Sequence, residues 1–179
     1  MPGVLVNKSV AMVIAFRDFR DEEYFIPKRT LEEADAKIET FSDSLGQAMG
    51  MSGGEAEVDG LIENLNSKNY DAVLFIGGSG ADDYIDNPAC HKIVRETIEA
   101  GKTVGAICIA PAILAKARVL SGKKATVWSS ALDKSMVKLL KDCGAVYRSD
   151  PVIADRNIVT ASGPDFAEEF ALKIIEVIK

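Results

Sequence analysis

Three short runs of nearly unbroken apolar residues constrain this chain more than anything else in it: residues 9–16 (SVAMVIAF), 72–76 (AVLFI) and 103–107 (TVGAI). A strand with one wet face alternates polar and apolar residues, whereas a strand covered on both faces has no reason to. Runs of this length, rich in Val and Ile, therefore read as central strands of a buried sheet. Between them lie longer segments with helical punctuation. Strand, helix and strand in that order predict βαβ units, a mainly parallel sheet and helices on both of its faces.

The helices are expected at residues 22–36, 88–100, 111–117, 132–143 and 166–178. Pro27 falls a little inside the first, which makes its first turn a candidate for irregularity. Asn87 and Pro88 open the second as N-cap and first helical residue, and Gly101 stops it. Gly144 ends the fourth in the same way. Residues 37–42 carry Ile38, Thr40 and Phe41 and make a second strand by composition. Residues 46–54 read as a glycine-rich loop or hairpin leading into a short polar strand at 55–58. A short strand is expected at 125–127, and a hairpin of strands 152–154 and 158–161 across Asp155, Arg156 and Asn157. No internal repeat, linker or low-complexity stretch interrupts this order. Residues 1–179 are thus expected to form one domain, long enough to bury a substantial core.

Composition then removes several classes of partner. A hydrophobic fraction of 47% with 27% charged residues is that of a globular chain. The net charge is −6 and no basic stripe is visible, which argues against nucleic acid as a partner. No window approaches the roughly 18 apolar residues of a membrane span. The opening residues, interrupted by Lys8, do not read as a secretory leader. Cys90, Cys108 and Cys143 are odd in number and lack a close-spaced metal pattern. They are expected as free thiols in a reducing cytoplasm, with no metal bound.

Ligands of open α/β sheets bind at the carboxyl ends of the strands. Two loops stand there: Gly77-Gly78-Ser79-Gly80, and residues 106–111 (AICIAP). The second places small residues two positions either side of Cys108, the pattern of a strand-to-helix nucleophile elbow. So sharp a turn has no room for larger side chains, and it thrusts the nucleophile into the cleft. The positive end of the following helix favours a thiolate there. Backbone N–H groups of Ile109 and of the Gly77-Gly78 turn offer an oxyanion site. The competing reading of Cys108 is a small buried hydrophobe. Cys90 and Cys143, near helix caps, are expected to pack or to be partly exposed without catalysis.

Further markers span almost the whole chain. Glu23 stands four residues before Pro27 in DEEYFIP, and AVLFIGGSGA and VGAICIAPAILAKA surround the two loops. Gly122-Lys123-Lys124-Ala125-Thr126 and the closing TASGPDFAEEFALKIIE come after them. In these motifs and their order the sequence resembles the ThiJ/PfpI superfamily. The resemblance implies a flavodoxin-like three-layer α/β/α sandwich and a homodimer or higher homo-oligomer. It also implies that Cys108 is the reactive cysteine and Glu23 its carboxylate partner. An ionised Glu23 opposes a thiolate beside it, so the pair works only with Glu23 protonated and donating a hydrogen bond to the sulfur. The two would then titrate together, the carboxyl raised and the thiol lowered. On the residues alone, Glu23 reads instead as a solvated carboxylate in a first helical turn, beside Asp21 and Glu22.

Departures from the family pattern bear on function. PfpI-type peptidases carry a histidine directly after the cysteine, where this chain has Ile109. Other members carry one after the next strand, where Trp128 stands and is expected to wall an apolar substrate pocket with Ser129 and Ser130. The single histidine, His91, falls on a helix as a surface residue. Ser162 occupies a position often held by arginine. Arg17 and Arg20 either bring positive charge to that rim or act as solvated partners of Asp18 and Asp21. Without a Cys–His dyad an efficient peptidase is disfavoured. The expectation is small-molecule carbonyl chemistry of the glyoxalase III or deglycase kind, needing no metal or organic cofactor. Redox sensing by oxidation of Cys108 is the first alternative, and intracellular peptidase activity the second.

Overall fold

The three apolar runs lie side by side at the centre of one sheet. A computed structural model of the protein describes residues 3–179. In chain order its first half contains β1 (Ser9–Val13), β2 (Arg17–Phe19), α1 (Asp21–Glu32), β3 (Lys37–Ser42), β4 (Gly46–Gly50), β5 (Glu55–Val58), β6 (Gly60–Leu61) and β7 (Ala72–Phe75). Next come α2 (Pro88–Glu99), β8 (Thr103–Ile107), α3 (Pro111–Lys116), β9 (Lys124–Ala125) and α4 (Ser135–Asp142). The chain closes with β10 (Val146–Tyr147), β11 (Val152–Asp155), β12 (Ile158–Ala161) and α5 (Ala167–Ile178).

Among the described residues, seven strands form the main sheet in the order β11-β12-β8-β7-β1-β3-β6. All neighbours are parallel except β11 and β12, which form the antiparallel hairpin expected at that edge. Alternate residues of the central strands serve opposite layers, as strand geometry requires. Val73, Phe75, Val104 and Ala106 pack against α2, α3 and α4, while Val10, Met12 and Leu74 pack against α1 and α5. The result is the three-layer α/β/α sandwich. Each fully buried Leu, Ile or Met of these layers contributes about 1.5–3 kcal/mol by leaving water.

Several boundaries differ from the expectation. β1 ends at Val13, because residues after Ile14 leave the sheet to form β2, which pairs with β4 in a separate three-stranded sheet with β5. The 46–54 stretch is therefore a hairpin. Helix α1 runs through Pro27 but stops at Glu32 instead of residue 36. There Asp35 adopts a left-handed conformation and the Ala36 N–H donates to the Leu31 carbonyl, a Schellman-type stop. β9 covers 124–125 and pairs with β10, so the expected 125–127 strand is only partly formed. Helix α4 begins at Ser135, not 132, because Asp133 accepts from the Ser135 N–H and Ser130 accepts from Leu132 and Asp133, holding that stretch in a turn. No helix among the described residues is long and apolar enough to cross a membrane.

Candidate active site

Cys108 follows β8 directly and takes φ +65, a left-handed conformation that a side chain seldom adopts. Both of its backbone groups are held. Its N–H donates to the Ala161 carbonyl at the end of β12 (2.9 Å), and its carbonyl accepts from the Trp128 N–H (2.8 Å). Ala106 and Ala110, two positions either side, are fully buried. Their small side chains permit the turn, and Pro111 starts α3 beyond it.

Glu23 faces the same point from the first turn of α1 and is completely buried. Its Oε2 accepts from the Gly77 N–H at 3.0 Å. A Cβ at Gly77 would stand 2.5 Å from Glu23 Oε2 and 2.6 Å from Cys108 Cβ, so this glycine is the thin partition between the two side chains. Gly78, at φ +107, is just as constrained. A Cβ there would come within 2.4 Å of the Arg20 nitrogen and the Asp18 carbonyl oxygen. The Gly77 N–H, offered by the sequence as an oxyanion donor, is committed to Glu23. It is the Gly78 and Ile109 N–H groups that reach the Cys108 sulfur.

Electrostatics make the two side chains a coupled pair. Burial raises the Glu23 carboxyl to about 7, against the hydrogen-bonding pull of Cys108 and Gly77 and the charge of Arg20. Burial first, then the charge and hydrogen bonding of Glu23, push the Cys108 thiol up to about 12, where the sequence led us to expect a lowered value. The reason is that a dry pocket floor admits one negative charge readily and a second at great cost. Glu23 Oε1 is buried and, among the described residues, has no hydrogen bond of sound geometry, the thiol beside it included.

An open pocket of about 370 Å³ exposes this pair, lined by Arg20, Met51, Gly78, Ser79, Ile109, Trp128 and Pro164 as well as Glu23 and Cys108. A larger cavity of about 590 Å³ lies between α1 and β5. It contains carboxylates, cations and the hydroxyls of Tyr24 and Thr40 but no cysteine.

With this geometry in view, comparison with known proteins is decisive. The model of the DJ-1/PfpI family matches residues 8–177. The chain belongs to the DJ-1/PfpI family. It is 37% identical over 174 residues to an uncharacterized protein of Methanocaldococcus jannaschii, covering 97% of this chain and 83% of that one. It is 27% identical to protein/nucleic acid deglycase 2 of Escherichia coli, covering 97% and 99%. Among solved structures, a ThiJ/PfpI domain protein from Brachyspira murdochii superposes with a TM-score of 0.90 at 29% identity, covering 95% of each chain.

Other residues singled out by the sequence take varied places within this DJ-1/PfpI domain. His91 Nε2 lies 2.7 Å from the Ile85 carbonyl oxygen and does not line the Cys108 pocket. Cys90 is buried in the core, where desolvation raises its thiol to about 12, and Cys143 is partly exposed. Ser162 lines a neighbouring cavity that shares Trp128 and Pro164 with the Cys108 pocket. The arginines do not pair with Asp18 or Asp21. Arg20 bonds Glu22 through Nε at 2.8 Å, and Arg17 lies over the Phe16 ring. Asp21 instead accepts from the Ser52 and Gly54 N–H groups, tying the β4–β5 turn to α1. That turn brings Met51 to the pocket, a wall residue that the sequence alone does not reveal. No local signal marks it, because only tertiary hydrogen bonds carry it there.

Proposed function

We propose that the protein converts small α-oxoaldehydes into α-hydroxy acids, with Cys108 as nucleophile and Glu23 as proton carrier. The observation that carries this reading is the buried Glu23 carboxyl beside Cys108, with one oxygen fixed by Gly77 and the other unpartnered. Above about pH 7 the pair holds one proton. In the form with that proton on Glu23, the sulfur is a thiolate facing the Gly78 and Ile109 N–H groups.

The thiolate attacks the aldehyde carbon, the C=O bond becomes an alkoxide, and Glu23 supplies the proton that completes a hemithioacetal. The resulting carboxylate removes the C–H proton from the former aldehyde carbon, giving an enediolate, and returns that proton to the adjacent carbon, while the hydroxyl proton of the first carbon passes to the oxygen of the second. This leaves a thioester of the α-hydroxy acid. Water hydrolyses it, regenerating the cysteine. These steps need neither metal nor organic cofactor. A carboxyl held at about 7 suits them, since a group that both gives and takes protons works best near the ambient pH. Relatedness to an enzyme named a deglycase supports chemistry on carbonyl adducts. A peptidase reading also has a relative, a putative cysteine protease of Bacillus subtilis at 28% identity, but among the described residues no imidazole lines the pocket to protonate an amine leaving group.

The test is lactate formation from methylglyoxal. Cys108→Ala is expected to abolish it, and Glu23→Gln to slow it by about a hundredfold or more. His91→Ala is expected to leave it unchanged. Lactate formation that survives in Cys108→Ala would remove the reading.

A further inference from the structure

Arg20 stands where a helix is least well served by it. It is the N-cap of α1, a position that favours Ser, Thr, Asp or Asn because their side chains accept the unpaired N–H groups of the first turn. Arginine has no acceptor, and the side chain of Arg20 makes no capping bond. It also sets a positive charge at the positive end of the helix dipole. A residue that breaks a local rule and gains locally only an exposed ion pair with Glu22 points to a role in the site it faces.

That site is the Cys108 pocket. Among the described residues, Arg20 is the one cation lining it, and the walls around the Glu23–Cys108 pair are otherwise Met51, Gly78, Ser79, Ile109, Trp128 and Pro164. Its main chain is fixed by the same loop that forms the nucleophile's surroundings, since its N–H donates to the Gly77 carbonyl at 3.0 Å. Glu22 engages the guanidinium through Nε alone, and both partners are more than a third exposed, at 36% and 43%. So exposed a pair is weak and readily exchanged for another anion. The terminal Nη1 and Nη2 form no hydrogen bond among the described residues, leaving the fork that suits a carboxylate.

We propose that Arg20 is a specificity residue, selecting for the Cys108 site α-oxoaldehydes that carry an anionic group, a carboxylate above all. The proposal rests on the carbonyl reading for its substrate class, but its core, that Arg20 draws an anion to Cys108, stands apart from turnover. Above about pH 7 the site already carries one negative charge, so an anionic substrate would be repelled there without a cation at the rim. Arg20 supplies that cation and orients the aldehyde end toward the sulfur.

Two alkylating agents of nearly equal size test the core directly. Iodoacetate and iodoacetamide both transfer a two-carbon unit to the sulfur with loss of iodide, and differ in charge. With Cys90 and Cys143 changed to Ser, the iodoacetate-to-iodoacetamide rate ratio at one pH cancels any difference in thiolate fraction. In Arg20→Ala this ratio is expected to fall by about tenfold, the size of one lost charge-assisted hydrogen bond. In Glu22→Gln, which frees the guanidinium, it is expected to rise, and added salt should shrink both effects. A ratio unmoved in both variants overturns the proposal, whatever the protein does with aldehydes. The substrate class is read with 4,5-dioxopentanoate against neutral 2-oxopentanal. A kcat/KM preference for the former, lost in Arg20→Ala through KM, supports it. Equal kcat/KM values for the two in the parent protein overturn it. Turnover of neither overturns the carbonyl reading, while the alkylation ratio still decides the role of Arg20.

Discussion

Cys108 occupies a left-handed conformation that costs a non-glycine residue about 1–3 kcal/mol, and its bonds to Ala161 and Trp128 hold it there. The strain aims the sulfur at the Gly78 and Ile109 N–H groups and at Glu23, and so makes one proton the common property of two side chains. The first proton leaves the pair near 7, the second only at a far higher pH, because burial and mutual repulsion forbid two charges. Alkylation of Cys108 by iodoacetamide is therefore expected to rise through about 7 and then level off. In Glu23→Gln the only proton to lose is the thiol's own, which burial holds above the usual value of about 8.5, so the midpoint should move upward past that value. Superimposable pH profiles for the two proteins would show that Glu23 and Cys108 do not share a proton.

Helix α1 puts three charged residues of different duty within one turn: Arg20 lines the pocket, Asp21 holds the β4–β5 turn, and Glu23 is buried against Gly77. Removing the second should loosen a pocket wall without touching the reacting groups. Asp21→Ala loses bonds to Ser52 and Gly54 and is expected to cost about 1–2 kcal/mol of stability. Amide exchange at Ser52 and Gly54 should speed up, and KM for methylglyoxal should rise more than kcat falls. Unchanged exchange at those two amides would mean the turn holds itself. This acidic turn also shows what the sequence conceals. Asp21, Glu22 and Glu23 look alike as a solvated cluster, and only the loops after the central strands β7 and β8, packed over α1, bury the third. β1, β7 and β8 were legible because burial on both faces leaves an unbroken apolar run, and the elbow was legible because its steric demand is local. β2, β6 and β10, two or three residues each, exist only through long-range pairing, and no local pattern encodes them. Met51 was hidden for the same reason.

At the scale of the whole molecule, the site draws on the stability that the two helical layers provide. A folded-state carboxyl at about 7 against about 4.5 in the unfolded chain means that the native fold binds this proton more tightly. By linkage, the contribution of Glu23 is fully present below about 4.5, is lost as pH rises through 7, and leaves a deficit of roughly 3 kcal/mol above it. Gln, uncharged at every pH and still able to accept from Gly77, escapes that deficit. Glu23→Gln is thus expected to be more stable than the parent at pH 8, by roughly 6–12 °C in Tm for a domain of this size. The difference should shrink through pH 6 and vanish near pH 4.5, where both side chains are neutral. Other carboxylates titrate over the same range, but they are common to both proteins and cancel in the comparison. A Tm difference that stays constant across this range, or has the opposite sign at pH 8, would mean that the buried carboxyl does not carry its proton in the native state. The same variant that stabilises the fold is the one expected to lose proton transfer at Cys108, which is the signature of a group kept for chemistry and not for folding.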